Sequence, residues 1–179
     1  MDIQEFLQLC VGKWFVQRTS HQLPPQKLAA SRGDFWIEWL PPEDTTVSQV
    51  CQKFQLDPDS ALGGLKTTWE TIVPGETDKQ KGSSSVVLLP DATNSAQGNF
   101  IQQLAKPGSS PVRGSYCLQG TEALTFTTTS DGGWSSEERI WFASNNLRLR
   151  TSTVDCGDGQ KVMSFYSEIR MGGASSSNK

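Results

Sequence analysis

The segment IQEFLQLCVGKWFVQRTSHQ, residues 3–22, joins a short amphipathic helix to a β-strand. Asp2 can cap the start of the helix, because its side chain accepts a hydrogen bond from a free backbone N–H of the first turn. Gly12 ends the helical pattern, and the pattern of a strand begins after it. The apolar side of the helix is predicted from residues at steps of three and four: Ile3, Phe6, Leu7 and Cys10.

The rest of the chain consists of short stretches rich in β-branched and aromatic residues, separated by turn sequences. About ten strands at hairpin-like spacing, without crossover helices, predict an all-β antiparallel barrel or sandwich. We expect one domain over residues 1–171, a helical turn within residues 57–64, and a disordered polar tail over residues 172–179. The predicted strands are residues 13–22, 34–40, 45–55, 66–73, 83–90, 98–105, 112–119, 122–129, 137–144, 147–155 and 160–170.

Charge and residue types exclude several function classes. The net charge of −3 opposes general binding of nucleic acid, which needs a basic surface. The 4 cysteines lie far apart and His21 is the single histidine, so we expect reduced thiols, no metal site and no Ser-His or Cys-His catalysis. No apolar run reaches the roughly 18 residues of a membrane span, and the acidic N-terminus is unlike a signal peptide. We therefore expect a soluble cytoplasmic protein.

The sequence LRLRTS places two positive charges on one side of a predicted strand. Arg148, Arg150 and Ser152 alternate with apolar residues and therefore point to the same face. This face is either a solvated outer surface with weak ion pairs or the inner wall of a binding site. Guanidinium groups bind carboxylates bidentately, so the second alternative favours a ligand that carries two carboxylates.

The length of the preceding hairpin loop decides which acid joins this face. A loop of two or four residues places Glu137 beside the arginines, whereas a loop of three residues places Glu138 there. The turn sequence Ser144-Asn145-Asn146 is compatible with either register, since Asn tolerates the positive φ of tight hairpins.

Three further residues are candidates for a ligand site. Trp69 alternates with threonines, so its ring is either core filler or a shelf for a ligand. Arg18 lies in line with apolar residues of the first strand, which favours a position in the lumen or at its rim. Near the end of the chain, alternation places Glu168 on one strand face together with Ser164, Tyr166 and Arg170.

The Gly12-Lys13-Trp14 sequence resembles the calycin signature of lipocalins and fatty-acid-binding proteins. The resemblance implies a closed barrel rather than a sandwich, with Trp14 filling one end and a late arginine, Arg170, lying across its indole. Small barrels of this type commonly hold one ligand in the lumen.

Longer strings carry a more specific resemblance. The chain resembles the S-type phycobiliprotein lyases, the CpcS/CpeS family, nearly end to end from the first helix to Met171. The strings are FLQLCVGKWFVQRTSH (6–21), DPDSALGGLKTTWE (57–70), SEERIWFASNNLRLRTS (136–152) and SFYSEIRM (164–171).

This resemblance implies an enzyme that binds a phycobilin, an open-chain tetrapyrrole such as phycocyanobilin or phycoerythrobilin, in the barrel. The bilin is the substrate, no tightly bound cofactor is expected, and the product is a thioether to a cysteine of an apo-phycobiliprotein subunit. That subunit is of the phycocyanin, allophycocyanin or phycoerythrin type, in cyanobacterial cytoplasm or plastid stroma, and a homodimer is compatible with this role. The alternative is a non-catalytic carrier of lipid or bilin.

The resemblance also implies roles for individual residues. Glu138, or Glu137 in the other register, is expected to bind the pyrrole N–H groups as the catalytic carboxylate, with Glu168 as the next candidate. The remaining expected contacts are Arg148 and Arg150 to the propionates or ring carbonyls with Ser152 assisting, Trp69 and Trp141 stacked on the rings, and Arg18 closing the site.

Overall fold

The computed structural model describes residues 1–24, 26–120, 122–130 and 132–172. Ten antiparallel strands follow one another around a closed barrel, in which the first strand pairs with both the second and the last. The predicted tail lies, from residue 173 on, outside the described residues. The elements are α1 (Ile3–Cys10), β1 (Gly12–Leu23), β2 (Lys27–Leu40), α2 (Thr45–Lys53), a 3-10 turn (Pro58–Ser60), β3 (Gly63–Ile72), β4 (Gln80–Pro90), β5 (Gln97–Leu104), β6 (Val112–Gln119), β7 (Ala123–Thr129), β8 (Ser135–Ser144), β9 (Leu147–Asp155) and β10 (Lys161–Met171).

Helix α1 and Trp14 close one end of the barrel. The Asp2 side chain accepts from the backbone N–H of Glu5, which confirms the predicted cap. Trp14 is fully buried, and its Nε1 donates to the Cys10 carbonyl at 2.8 Å. The Arg170 guanidinium lies 4.2 Å from the centre of the Trp14 ring, so the arrangement implied by the calycin resemblance is present.

The prediction of a strand at residues 45–55 is wrong, because this segment forms α2. The Asp44 side chain caps the helix by accepting from the Thr46 N–H at 2.7 Å. Val47, Val50 and Cys51 then recur at helical spacing and form one buried face. That face belongs to a second, smaller core outside the barrel, which includes Val87 and Ile101 of the wall.

The described part of the chain contains no helix both long and apolar enough to cross a bilayer. Among the same residues, no three His, Cys, Asp or Glu side chains are grouped as metal ligands. The cysteines are free thiols: Cys10 and Cys51 are buried, and Cys117 and Cys156 are exposed.

Candidate functional site

A cavity of about 610 Å³ occupies the interior of the barrel. Leu7 and Cys10 of α1 line one end of the cavity, and Gln22, Lys27 and Gln80 line it near the turns at the other end. Its volume lies within the range of small-molecule sites. The lumen therefore runs from the floor formed by α1 towards the exposed turns.

The β8–β9 hairpin settles which acid faces this cavity. The turn itself has two residues, Asn145 and Asn146, but the register shifts by one residue between Phe142 and Ser144. Beyond this bulge, the two strands pair in the register that a three-residue loop would give, so that Glu138 is opposite Ser152. Glu138 consequently lines the cavity, whereas the Glu137 side chain lies exposed on the outer face.

The inward faces of β9 and β10 hold a buried charge cluster of Arg148, Arg150 and Glu168. Arg148 and Arg150 both line the cavity, and Glu168 is 0% exposed and lies behind them. The Arg148 Nε donates to Glu168 Oε2, and Arg150 Nη2 lies 2.9 Å from Glu168 Oε1. Glu168 therefore neutralises part of the charge of two arginines from the strand that pairs with theirs.

Ionisation in this cluster is set by competing effects of burial and charge. Burial alone would raise the pKa of the Glu168 carboxyl, but the guanidiniums of Arg150 and Arg148 hold that pKa below its usual value. Burial works against the charge of Arg150 as well, yet the carboxylates of Glu168 and Glu138 raise its pKa. Glu168 and Arg150 are therefore both charged in the folded protein at neutral pH.

Tyr166 of β10 lies between two arginines of neighbouring strands. Its direct partners are Arg18 on β1 and Arg150 on β9. The guanidinium carbons lie 5.5 Å and 3.9 Å from the centre of the Tyr166 ring, respectively. Arg18 also donates from Nη2 to the Ser164 hydroxyl at 3.1 Å. Cation–π contacts on both sides thus fix two guanidiniums on one wall of the cavity.

Aromatic rings continue this wall onto β2 and β3. Trp69 and Phe35 both line the cavity, and their ring centres are 6.2 Å apart at an interplanar angle of 35°. Phe35 in turn lies 5.6 Å from the guanidinium carbon of Arg150. The aromatic surface and the charge cluster are therefore in contact.

The expectation that Trp141 stacks on a ligand is wrong for this structure. Trp141 pairs with Leu149 and Ala123, so it has the opposite orientation to Glu138 and lies on the outer face. The Arg139 guanidinium lies 6.0 Å from its ring centre on that face. Ser152 shares the inward face of Arg150 but does not line the cavity.

Sequence reasoning missed several cavity residues. The alternation of Ser164, Tyr166 and Glu168 along β10 placed Tyr166 on the correct face, but no pattern indicated its position between two arginines. Lys27 and Arg32 also line the cavity, at the β2 end near its exposed turns. Their positions depend on the β1–β2 turn, which the sequence did not define.

The model of the CpeS-like protein family matches residues 2–171. The chain belongs to this family. It is 36% identical to the chromophore lyase CpcS/CpeS of Thermosynechococcus vestitus, over 96% of the chain and 94% of that protein. It is 38% identical to the chromophore lyase CpcS/CpeS 2 of Synechococcus sp. strain JA-3-3Ab, over 99% of the chain and 94% of that protein. The chain is therefore a chromophore lyase.

A solved structure supports both the family and the fold. The S-type phycobiliprotein lyase CpeS from Guillardia theta superposes with a TM-score of 0.84 at 27% identity, covering 97% of this chain and 94% of that one. The predicted all-β barrel with an N-terminal helix is thus confirmed for this CpeS-like lyase.

Proposed function

We propose that this CpeS-like lyase binds a phycobilin in its barrel and delivers it to a cysteine of an apo-phycobiliprotein subunit. The observation that carries the proposal is the lining of the cavity, which combines a carboxylate, Glu138, with the cations Arg18 and Arg150 and the flat ring of Trp69. A bilin needs all three kinds of group, because it combines pyrrole N–H donors, two propionates and an extended π system.

Glu138 is the group that we assign to the pyrrole N–H donors. Its side chain is 34% exposed, and its nearest charged partner, Arg150 Nη1, is 3.4 Å away. A hydrogen bond of that length is weak, so the carboxylate retains capacity to accept from a ligand. A carboxylate beside the pyrroles stabilises the protonated tetrapyrrole, in which ring A is more electrophilic towards a thiol.

The propionates require cations whose charge is not already neutralised. Arg148 is 3% exposed and its Nε is bound to Glu168, which makes it a positioning residue. Arg18 and Lys27 line the cavity without a carboxylate at ion-pair distance among the described residues. We therefore assign the propionates to Arg18 and to Lys27 near the entrance, whereas Arg150, which is paired with Glu168 and Glu138, holds Glu138 in place.

The reaction adds the partner's thiol across the ethylidene double bond of ring A. The sulfur forms a C–S bond, the π bond is consumed, and the thiol proton is balanced by protonation of the bilin, so neither oxidant nor reductant is needed. The barrel's contribution is to hold one orientation of a flexible ligand. Cys10 is the thiol that lines the cavity, but burial raises its pKa and keeps it in the unreactive protonated form.

The decisive experiment mixes the purified protein with phycocyanobilin and an apo-phycobiliprotein subunit and separates the products on a denaturing gel. Zinc-enhanced bilin fluorescence on the subunit band is expected. The band should disappear when the lyase is omitted or when the acceptor cysteine is replaced. Bilin binding without any transfer to a range of subunits would instead indicate a carrier. Absence of bilin binding would contradict the proposal altogether.

A further inference from the structure

The indole of Trp69 occupies the space that a side chain at position 82 would fill. Gly82 on β4 is the direct cross-strand partner of Trp69 on β3. A Cβ atom added to Gly82 would lie 2.3 Å from Cζ2 and 2.5 Å from Cε2 of the indole. Both distances are far below van der Waals contact, so the present ring position requires glycine at this site.

On its other side, Trp69 is bounded by Phe35. Phe35 is the β2 partner of Trp69, and its ring contacts the Arg150 guanidinium. A ring displaced from Gly82 by about 1 Å must therefore move into the lumen or press on Phe35 and, through it, on the charge cluster. Either movement alters the cavity wall that faces the ligand.

Gly82 differs in this respect from the other glycines of the barrel wall. A Cβ atom at Gly64 or Gly98 would meet backbone atoms of the neighbouring strand at 2.2 Å and 2.3 Å. Those glycines permit the close approach of strands and serve the fold. Among the described glycines, Gly82 is the one whose missing Cβ atom makes room for the side chain of a residue that lines the cavity.

We propose that Gly82 is a specificity-determining position that sets the width of the lumen. The absence of a side chain at this position allows the Trp69 indole to pack against β4. This inference rests on the proposed binding of a bilin in the barrel. If it is correct, a side chain at position 82 should weaken the binding of a full tetrapyrrole more than the binding of a ligand of half that size. Gly82 acts through Trp69 and is a positioning residue that does not itself react.

The test titrates five proteins, one of them a control variant, with phycocyanobilin and with a dipyrrinone that carries one propionate. The proteins are the unchanged chain, Gly82→Ala, Trp69→Leu and the double variant, with Gly132→Ala as control because Ser130 Oγ, the nearest atom within 4 Å of a Cβ there, is at an ordinary 3.6 Å. Gly82→Ala should bind phycocyanobilin roughly tenfold or more weakly and the dipyrrinone with unchanged affinity. In the Trp69→Leu background, the same glycine substitution should change neither affinity.

The outcomes separate this inference from the proposed function. No bilin binding by the unchanged chain overturns the proposed function. Bilin binding by the unchanged chain with equal affinity in Gly82→Ala overturns the role of Gly82. An equal loss for both ligands, or a loss that persists without the indole, also overturns it. Thermal unfolding of each variant is the folding control. If Gly82→Ala fails to fold and the double variant fails as well, then Gly82 serves the fold alone.

Discussion

Arg150 Nη2 lies 2.9 Å from Glu168 Oε1, and Arg150 Nη1 lies 3.4 Å from Glu138 Oε2. One guanidinium thus bridges a fully buried carboxylate and a carboxylate that faces the cavity. Because Glu168 already neutralises part of the charge of Arg150, Arg150 holds Glu138 in place by a long contact only. The Glu138 carboxylate therefore keeps capacity to accept hydrogen bonds from a ligand. This division of roles leads to separate expectations for the two acids.

Replacing Glu138 by Gln removes the charge that we assign to the pyrrole N–H groups while keeping the size of the side chain. We expect the affinity for phycocyanobilin to fall about tenfold to hundredfold, the contribution of a hydrogen bond to a charged group. The red-shifted absorption of the protonated bilin should also weaken. Glu137→Gln is the matched control, since Glu137 is exposed on the outer face. Equal effects of both variants would exclude the assigned contact.

Replacing Arg18 by Gln should weaken binding of the free diacid of phycocyanobilin by about tenfold or more. The dimethyl ester of the same bilin lacks both negative charges, so its affinity should be insensitive to this substitution. Arg139→Gln is the control, because Arg139 lies on the outer face beside Trp141. If diacid and ester lose affinity equally in Arg18→Gln, then Arg18 does not bind a propionate.

Glu168→Gln should destabilise the fold more than any other single change in the site. It leaves Arg148 and Arg150 buried with less compensation, and breaking such a pair costs about 3–5 kcal/mol. Urea unfolding monitored by circular dichroism measures the loss. A variant as stable as the unchanged protein would show that the arginines find other partners.

The same carboxylate predicts how stability depends on pH. The pKa of Glu168 is lowered in the folded state, so its stabilisation is complete above the unfolded-state pKa of about 4.3. That stabilisation is lost as the pH falls through the lower, folded-state value. The free energy of unfolding should therefore decrease in this acid range, and the decrease should be smaller in Glu168→Gln. Parallel curves for the two proteins would contradict the assignment.

The cysteines should react with a thiol reagent in two classes. Cys117 and Cys156 are exposed and should be modified rapidly in the folded protein, whereas Cys10 and Cys51 are buried and should react only on unfolding. Burial also raises the pKa of both buried thiols, which slows them further. Mass spectrometry after brief labelling identifies the sites. Rapid labelling of Cys10 would reopen the question of a covalent intermediate on this chain.

The barrel could be predicted from the sequence, whereas α2 could not. The approximate number of strands and the Gly12-Lys13-Trp14 sequence can be recognised from local patterns in the sequence, and both are present in the fold. The segment that forms α2 is rich in Thr and Val, residues whose β propensity favours a strand. Its helical form depends on the Asp44 cap and on a hydrophobic surface supplied by β4 and β5, and that surface exists only after the barrel has formed.

In the site, face alternation correctly grouped Arg148 with Arg150, and Tyr166 with Glu168. Alternation could not place Trp141, since a one-residue bulge changes which residues of β8 share a face with the arginines of β9. Nor could it show that Glu168 lies behind the arginines, because that depends on pairing between β9 and β10. The missing information is in every case the register between strands.

The contact of Arg170 with α1 has a consequence for biosynthesis. Arg170 donates to the carbonyls of Leu9 and Val11, and the β1–β10 seam joins the first strand to the last. Contacts so distant in sequence form slowly, because a long loop must close before they are gained. Neither the seam nor the Arg170 contacts can form until β10 has left the ribosome. A nascent chain that stops before β10 would therefore expose the unpaired edges of β1 and β9, and such a truncated product is expected to aggregate or be degraded.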